Sequence, residues 1–293
     1  MISISVPTVM SPDNIRTWLD EWSNVPSGQA LRVDLSSCIF ITPGGVTILA
    51  ACLRSRKDAH LETFLRGNPD SEVFRYLQRM DFFDRLNLSI EEKFVRHAPD
   101  NRFVPLQSID SEQSSRSTAT RITEFIHAQF PELPTSVGSF TRFILDELGA
   151  NIVQHAQAGT TGFCHAQAYR NKGFIEYSFA DYGIGIRNSL LENLEYRGRI
   201  TSDDEAILLA MEDRVSRTQD SRRNMGVGLF EFNRMCRRMD AEMWILSGNA
   251  TIHRKHLGGE CLLEKIQIVP NYHGTWICFR APLSIQHTPG TGL

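Results

Sequence analysis

One break in the pattern of this chain restricts its fold more than any other feature. Residues 98 to 117 change character, carrying Pro99, Asn101, Gln107, Ser108, Asp110 and the run Ser111-Glu112-Gln113-Ser114-Ser115. On either side, apolar residues recur with the periods of strands and helices, so the chain divides into two folding units. A length of 293 residues suits about two domains of ordinary size. The expected organisation is a small α/β domain over 1–97, a polar linker over 98–114, a second domain over 115–284 and a loose tail over 285–293.

The first unit alternates strand and helix. Met1-Ile2-Ser3-Ile4-Ser5-Val6 and Leu31-Arg32-Val33-Asp34-Leu35-Ser36 read as strands, and Leu61-Glu62-Thr63-Phe64-Leu65 as a third. Ile41-Thr42-Pro43-Gly44-Gly45 stops a strand and starts a helix, and Val46 to Arg56 repeats apolar residues at helical spacing. Val73, Tyr76, Leu77 and Met80 give a further helical face. One layer of helices on a sheet is predicted. In the second unit, helices are expected over 118–130 and 136–158, and strands over Phe163 to Ala168 and Phe174 to Ala180.

Composition removes several classes of function. The 31 basic residues are balanced by 34 acidic ones, so neither nucleic acid nor an anionic membrane is expected as a partner. The longest apolar run, Val46 to Leu53 with Thr47 inside it, is far short of the roughly 20 residues needed to span a bilayer. The amino-terminal residues lack the basic flank and apolar core of a signal peptide, which points to the cytoplasm. Six scattered cysteines without a C-x-x-C pair read as reduced core thiols. His253, His256, Cys261 and His273 share no metal-binding spacing and read as surface hairpin residues. Neither His97 nor His127 is followed by an acid, which argues against a phosphoacceptor histidine.

Four segments carry chemistry. On the second helix, Glu147, Asn151 and His155 are four apart and share one stripe among apolar residues. Such a carboxylate and amide can position a water and offer an oxygen to a hydrated Mg²⁺, although a stripe facing solvent has the same pattern. Asp181-Tyr182-Gly183-Ile184-Gly185 brings a carboxylate off a strand into a turn where backbone can approach a flat ligand, and an ordinary turn can carry it too. Asn224-Met225-Gly226-Val227-Gly228-Leu229 opens a helix, whose free N–H groups suit a phosphate. Arg214, Arg217, Arg222 and Arg223 lie just upstream, as a phosphate-facing patch or a solvated face. Gly274-Thr275 begins the last strand.

In this order and spacing the four segments resemble the GHKL ATP-binding domain shared by Hsp90, type II topoisomerases, the mismatch-repair protein MutL and histidine kinases. The resemblance spans roughly residues 115–284. It implies a Bergerat-type α/β sandwich, a mixed sheet with helices on one face, and ATP and Mg²⁺ as cofactors. It further implies that Asn151 holds Mg²⁺, that Asp181 reads the adenine amino group within the Gly183 and Gly185 turn, and that Thr275 sits nearby. Gly226, Gly228 and Leu229 would surround the phosphates, with 187–225 as a lid. Glu147 would be the general base or water-orienting group. A glutamate four before Asn151 and a histidine four after resemble the anti-sigma-factor serine kinases, as does Glu205 to Met211 followed by Val215-Ser216-Arg217. The expected function is a regulatory ATPase or serine/threonine kinase controlling a protein partner. The alternative is a non-catalytic protein-interaction module that ATP gates, and a homodimer is an open expectation for either.

Leu31 to Gly45, the apolar helix after it and Asp81-Phe82-Phe83-Asp84-Arg85-Leu86 resemble the STAS domain of anti-sigma-factor antagonists, over about residues 1–95. The phosphorylatable serine of that family falls on Gly44, which has no hydroxyl, and Thr42 and Thr47 are out of register. A scaffold or docking role is therefore expected in place of a phospho-switch.

Overall fold

A helix that is apolar on every side has to be covered on every side, and residues 46–53 form such a helix. A computed structural model describes residues 1–88, 90, 91, 96, 101–131, 142, 145–153, 161–212 and 228–283. In it, this helix lies between two sheets. The first sheet is parallel, in the order β1 (Ile2–Ser5), β3 (Leu31–Asp34), β5 (Thr63–Arg66), and β2 (Val9–Met10) pairs with β4 (Phe40–Ile41) beside it. Between β2 and β3 runs α1 (Ile15–Ser23), which buries Trp18 and Leu19. The apolar helix is α2 (Pro43–Asp58). It starts where Thr42 is still extended and Pro43, with φ already set and no N–H to satisfy, occupies the first turn. Every residue from Pro43 to Leu53 is buried. Two short helices, α3 (Glu72–Arg79) and α4 (Phe82–Arg85), complete this unit.

The second sheet has the order β6-β7-β8-β10-β9. Its strands are β6 (Phe103–Ile109), β7 (Gly162–Tyr169), β8 (Phe174–Ala180), β9 (Glu242–Leu257) and β10 (Glu260–Pro282). All its pairings are antiparallel, so the expectation of a mixed sheet is corrected. The linker expected over 98–114 is also corrected, because β6 and the start of α5 (Glu112–Gln129) lie within it. Pro105 and a bulge between Val104 and Gln107 break the alternation that would have marked a strand, and an edge strand tolerates both.

One face of this sheet meets α5, a helix over residues 145–153 (α6), α7 (Gly185–Leu191), α8 (Asp203–Ala210) and α9 (Gly228–Arg238). Ile175, Tyr177 and Phe179 of β8 point into that core. The alternate residues point the other way. Phe163, Ala180, Trp244, Leu246, Trp276 and Cys278 join the core of the first unit around α2. The second unit's own helices thus lie on one face of its sheet, as expected, and the other face is covered by the first unit.

This second core contains polar groups, and they are paired across the two units. Glu176 has no exposed surface. Its Oε1 accepts from the Gly44 N–H at 3.1 Å, and its Oε2 accepts from Nε and Nη2 of Arg280 at 3.2 and 3.0 Å. The indole N–H of Trp276 donates to the Gly44 carbonyl at 3.0 Å. Thr47 and Ser178 bond through their hydroxyls at 2.8 Å. His165 gives its Nδ1 proton to the Val104 carbonyl at 2.6 Å, and the Tyr76 hydroxyl lies 2.9 Å from its Nε2 and 2.5 Å from Gln167 Oε1. Both polar groups of Gly44 are thus held by side chains of the second unit. A Cβ at Gly44 would lie 3.0 Å from Pro12 and Trp276 and 3.2 Å from the Cys278 sulfur.

All six cysteines are free thiols, Cys261 alone among them exposed. His256 corrects the expectation of a surface residue, since it is buried, and His253 stacks on Trp244 at 4.5 Å. Among the described residues no three His, Cys, Asp or Glu side chains form a metal-binding group, and no helix is long and apolar enough to cross a membrane. The tail after Leu283 lies outside the described residues.

Candidate functional site

Asp181 follows the last residue of β8 and is buried. Its Oδ1 accepts from the Gly183 N–H at 2.8 Å, an Asx-type turn, and from the Thr275 N–H at 3.2 Å. The Asp181 N–H donates to the Thr275 carbonyl at 2.9 Å, and the Tyr272 hydroxyl donates to the Asp181 carbonyl at 2.5 Å. With Oδ1 engaged by backbone, Oδ2 is the oxygen left to meet a ligand. Burial pushes the carboxyl up to about 6, against the two N–H bonds, which pull it down.

The glycines of this turn are required by contact. Gly185 has φ +77°, and a Cβ there would lie 2.9 Å from the Ser247 hydroxyl. Gly274 has φ +121°, and a Cβ there would lie 2.2 Å from the Asp181 carbonyl oxygen. Ser247 connects the two: it accepts from the Ile186 N–H at 2.8 Å and donates to the Gly274 carbonyl at 3.0 Å. Sequence reasoning missed Ser247 and Tyr272. Both come from strands distant in sequence and belong to no motif.

The second group sits on α6. Leu145, Leu148 and Ile152 are buried against the sheet, which leaves Glu147 and Asn151 half-buried, one turn apart. Gly149 lets α6 approach α5, since a Cβ there would lie 2.2 Å from the Ser115 hydroxyl. Gly228 opens α9 beside this pair: a Cβ there would be 3.4 Å from both the Asn151 amide nitrogen and the Glu147 Cβ. Burial, and after it the neighbouring Asp146 carboxylate, raises the Glu147 carboxyl above its ordinary range. The two groups are joined by packing. Ile152, next to Asn151, would meet a Cβ at Gly162, and Gly162 lies against the carbonyl of Ala180, next to Asp181.

Thr275 and Gly183 therefore lie with Asp181, and Asn151 and Gly228 with Glu147. Leu229 is a core residue. Gly226, His155 and the arginines between 214 and 223 lie outside the described residues. The lid expected over 187–225 is partly corrected: Ala206 and Ile207 of α8 are buried in the core, so 187–212 packs as part of the domain. Residues 213–225 lie outside the described residues. The chain matches no model of a known protein family, and no curated protein is found to be similar to it.

Proposed function

We propose that this protein binds ATP with Mg²⁺ between the Asp181 turn and the start of α9, and that Glu147 promotes transfer of the γ-phosphoryl group to water or to a hydroxyl of a protein partner. The approach of Gly228 to both Glu147 and Asn151, close enough that a Cβ there would touch each, carries this reading. It joins an amide, a carboxylate with raised proton affinity and the positive end of an eleven-residue helix. The donor set fits Mg²⁺, which keeps several waters and takes one or two protein oxygens together with substrate phosphates. Asn151 would supply that oxygen, and the metal would neutralise charge on the phosphates. Asp181, held by Gly183 and Thr275, would accept from an exocyclic amino group through Oδ2. Glu147 would take the proton of the attacking hydroxyl as the new P–O bond forms and the bond to ADP breaks. The reading places the protein among regulatory ATPases and serine/threonine kinases of the cell interior.

Incubation with γ-labelled ATP, Mg²⁺ and lysate tests it. Free phosphate or labelled protein is expected, and Glu147→Ala should lose about 10²–10⁴ in rate while binding ATP nearly as well as the parent. Binding without turnover, in parent and variant alike, would make the protein an ATP-gated module, and absence of binding would remove the reading.

A further inference from the structure

The Asp181 turn is gripped from outside its own unit. Tyr182, the next residue, donates its hydroxyl proton to Asp58 Oδ2 at the last turn of α2. The same hydroxyl accepts from the Thr161 N–H at 3.1 Å. Thr161 is buried and directly precedes Gly162, the residue against which Ile152 of α6 packs. One hydroxyl thus ties together α2 of the first unit, the entry to β7 and the turn that carries Asp181. Asp58 is itself oriented, its Oδ1 accepting from Arg54 Nε at 2.9 Å. From the other side the turn is pressed on Gly274, where even a Cβ would lie 2.7 Å from the Tyr182 Cα. Tyr272, which holds the Asp181 carbonyl, is packed in the core that contains α2.

From this geometry we infer that Asp58 and Tyr182 are positioning residues for the nucleotide site: α2 holds the Asp181 turn in its binding geometry, so nucleotide affinity depends on the first unit. The inference rests on the proposed nucleotide reading for its ligand and on the hydrogen bonds alone for the grip. Linkage makes the effect reciprocal. If α2 strengthens nucleotide binding, bound nucleotide strengthens the hold of the turn on α2 by the same factor.

The test uses the full chain. Mg-ATP affinity is measured by calorimetry, and amide hydrogen exchange over residues 181–186 is measured without nucleotide, in the parent, Asp58→Ala, Asp58→Asn, Tyr182→Phe and the Asp58→Ala/Tyr182→Phe double variant. Asp58→Ala should weaken binding by about 5–20-fold, within the span of ordinary coupling between sites, and speed exchange in the turn. Asp58→Asn should restore most of the affinity, because an amide oxygen still accepts from Tyr182. The double variant should be no weaker than Tyr182→Phe, because the bond from Tyr182 that Asp58→Ala cuts is already lost with the hydroxyl, together with the one from Thr161. Loss of affinity in Asp58→Ala that Asp58→Asn fails to restore would mean general destabilisation and would overturn the inference. Unchanged affinity and exchange in Asp58→Ala would overturn it too. A parent that binds no nucleotide would refute the proposed function alone: faster exchange in Asp58→Ala would still uphold the grip on the turn, and unchanged exchange would refute both.

Discussion

Replacing Glu176 measures how firmly the two units are joined. Its carboxylate is fully buried, with one oxygen on the Gly44 N–H and the other on two nitrogens of Arg280. Removing one member of a buried ion pair costs about 3–5 kcal/mol, because the remaining charge stays in a poorly solvating place. Arg280 keeps Asp13 at 3.2 Å and Glu242 at 3.7 Å, which brings that part to the lower end. The Gly44 N–H loses its acceptor inside the core, which adds about 1–3 kcal/mol. Glu176→Ala should therefore destabilise the protein by about 4–6 kcal/mol. Glu176→Gln keeps one amide oxygen for either Gly44 or Arg280 but cannot serve both, so about 2 kcal/mol is expected. Glu264→Gln is the control, since its pair with Arg254 is solvent-accessible and should be worth under about 1 kcal/mol. Urea unfolding followed by tryptophan fluorescence reads the effect, because Trp276 bonds Gly44 in the same interface. A parent that unfolds in one transition and a Glu176→Ala variant whose units unfold separately would agree with the reasoning. If Glu176→Ala costs no more than Glu264→Gln, the idea that this buried pair holds the interface is wrong.

Two further predictions concern titrating groups. Asp181→Asn should abolish nucleotide binding yet raise the stability of the unliganded protein at pH 7 by about 1–2 kcal/mol, because the neutral amide keeps an acceptor for Gly183 and Thr275 without the cost of a buried charge; calorimetry and urea midpoints check both halves. His165, whose pKa burial lowers to about 4, contributes stability that is present above its ordinary value near 6.5 and lost as pH falls towards 4, whereas Asp181, raised to about 6, favours the fold below its ordinary range and loses that contribution as pH rises through 6. The two oppose each other between pH 4 and 6, so Asp181→Asn should lose stability more steeply on acidification than the parent; parallel urea profiles would refute the assignment.

How much of this was readable in the sequence depends on how far each contact reaches along the chain. The Asp181 turn was legible because its carboxylate and its glycines are neighbours, and Gly183 is held by the carboxylate two residues before it. The pairing of Glu147 with Asn151 was legible for the same reason, one helical turn. Their meeting with Gly228 depended on a resemblance of whole segments. No local rule predicts Ser247, Tyr272 or Asp58, because a serine, a tyrosine and an aspartate in ordinary settings signal nothing until the strands and α2 are assembled. The second face of the large sheet misled for a different reason. Phe174-Ile175-Glu176-Tyr177-Ser178-Phe179 alternates as a strand with one wet face does. Alternation distinguishes apolar from polar, and a buried polar interface has the same signature as solvent.

The apolar run of α2 held the missing information. A helix without a polar side needs cover on both sides, and a three-stranded parallel sheet supplies only one. The second cover is the sheet face that carries Glu176, Ser178 and Trp276, and it meets α2 first at Gly44. That is the position at which the resemblance to STAS domains puts a phosphorylatable serine. A side chain there would press on Pro12, Trp276 and Cys278, and a phosphate would meet the buried carboxylate of Glu176. The docked sheet thus leaves no room for a side chain at Gly44, and the N–H and carbonyl of that residue are both used to hold the second unit.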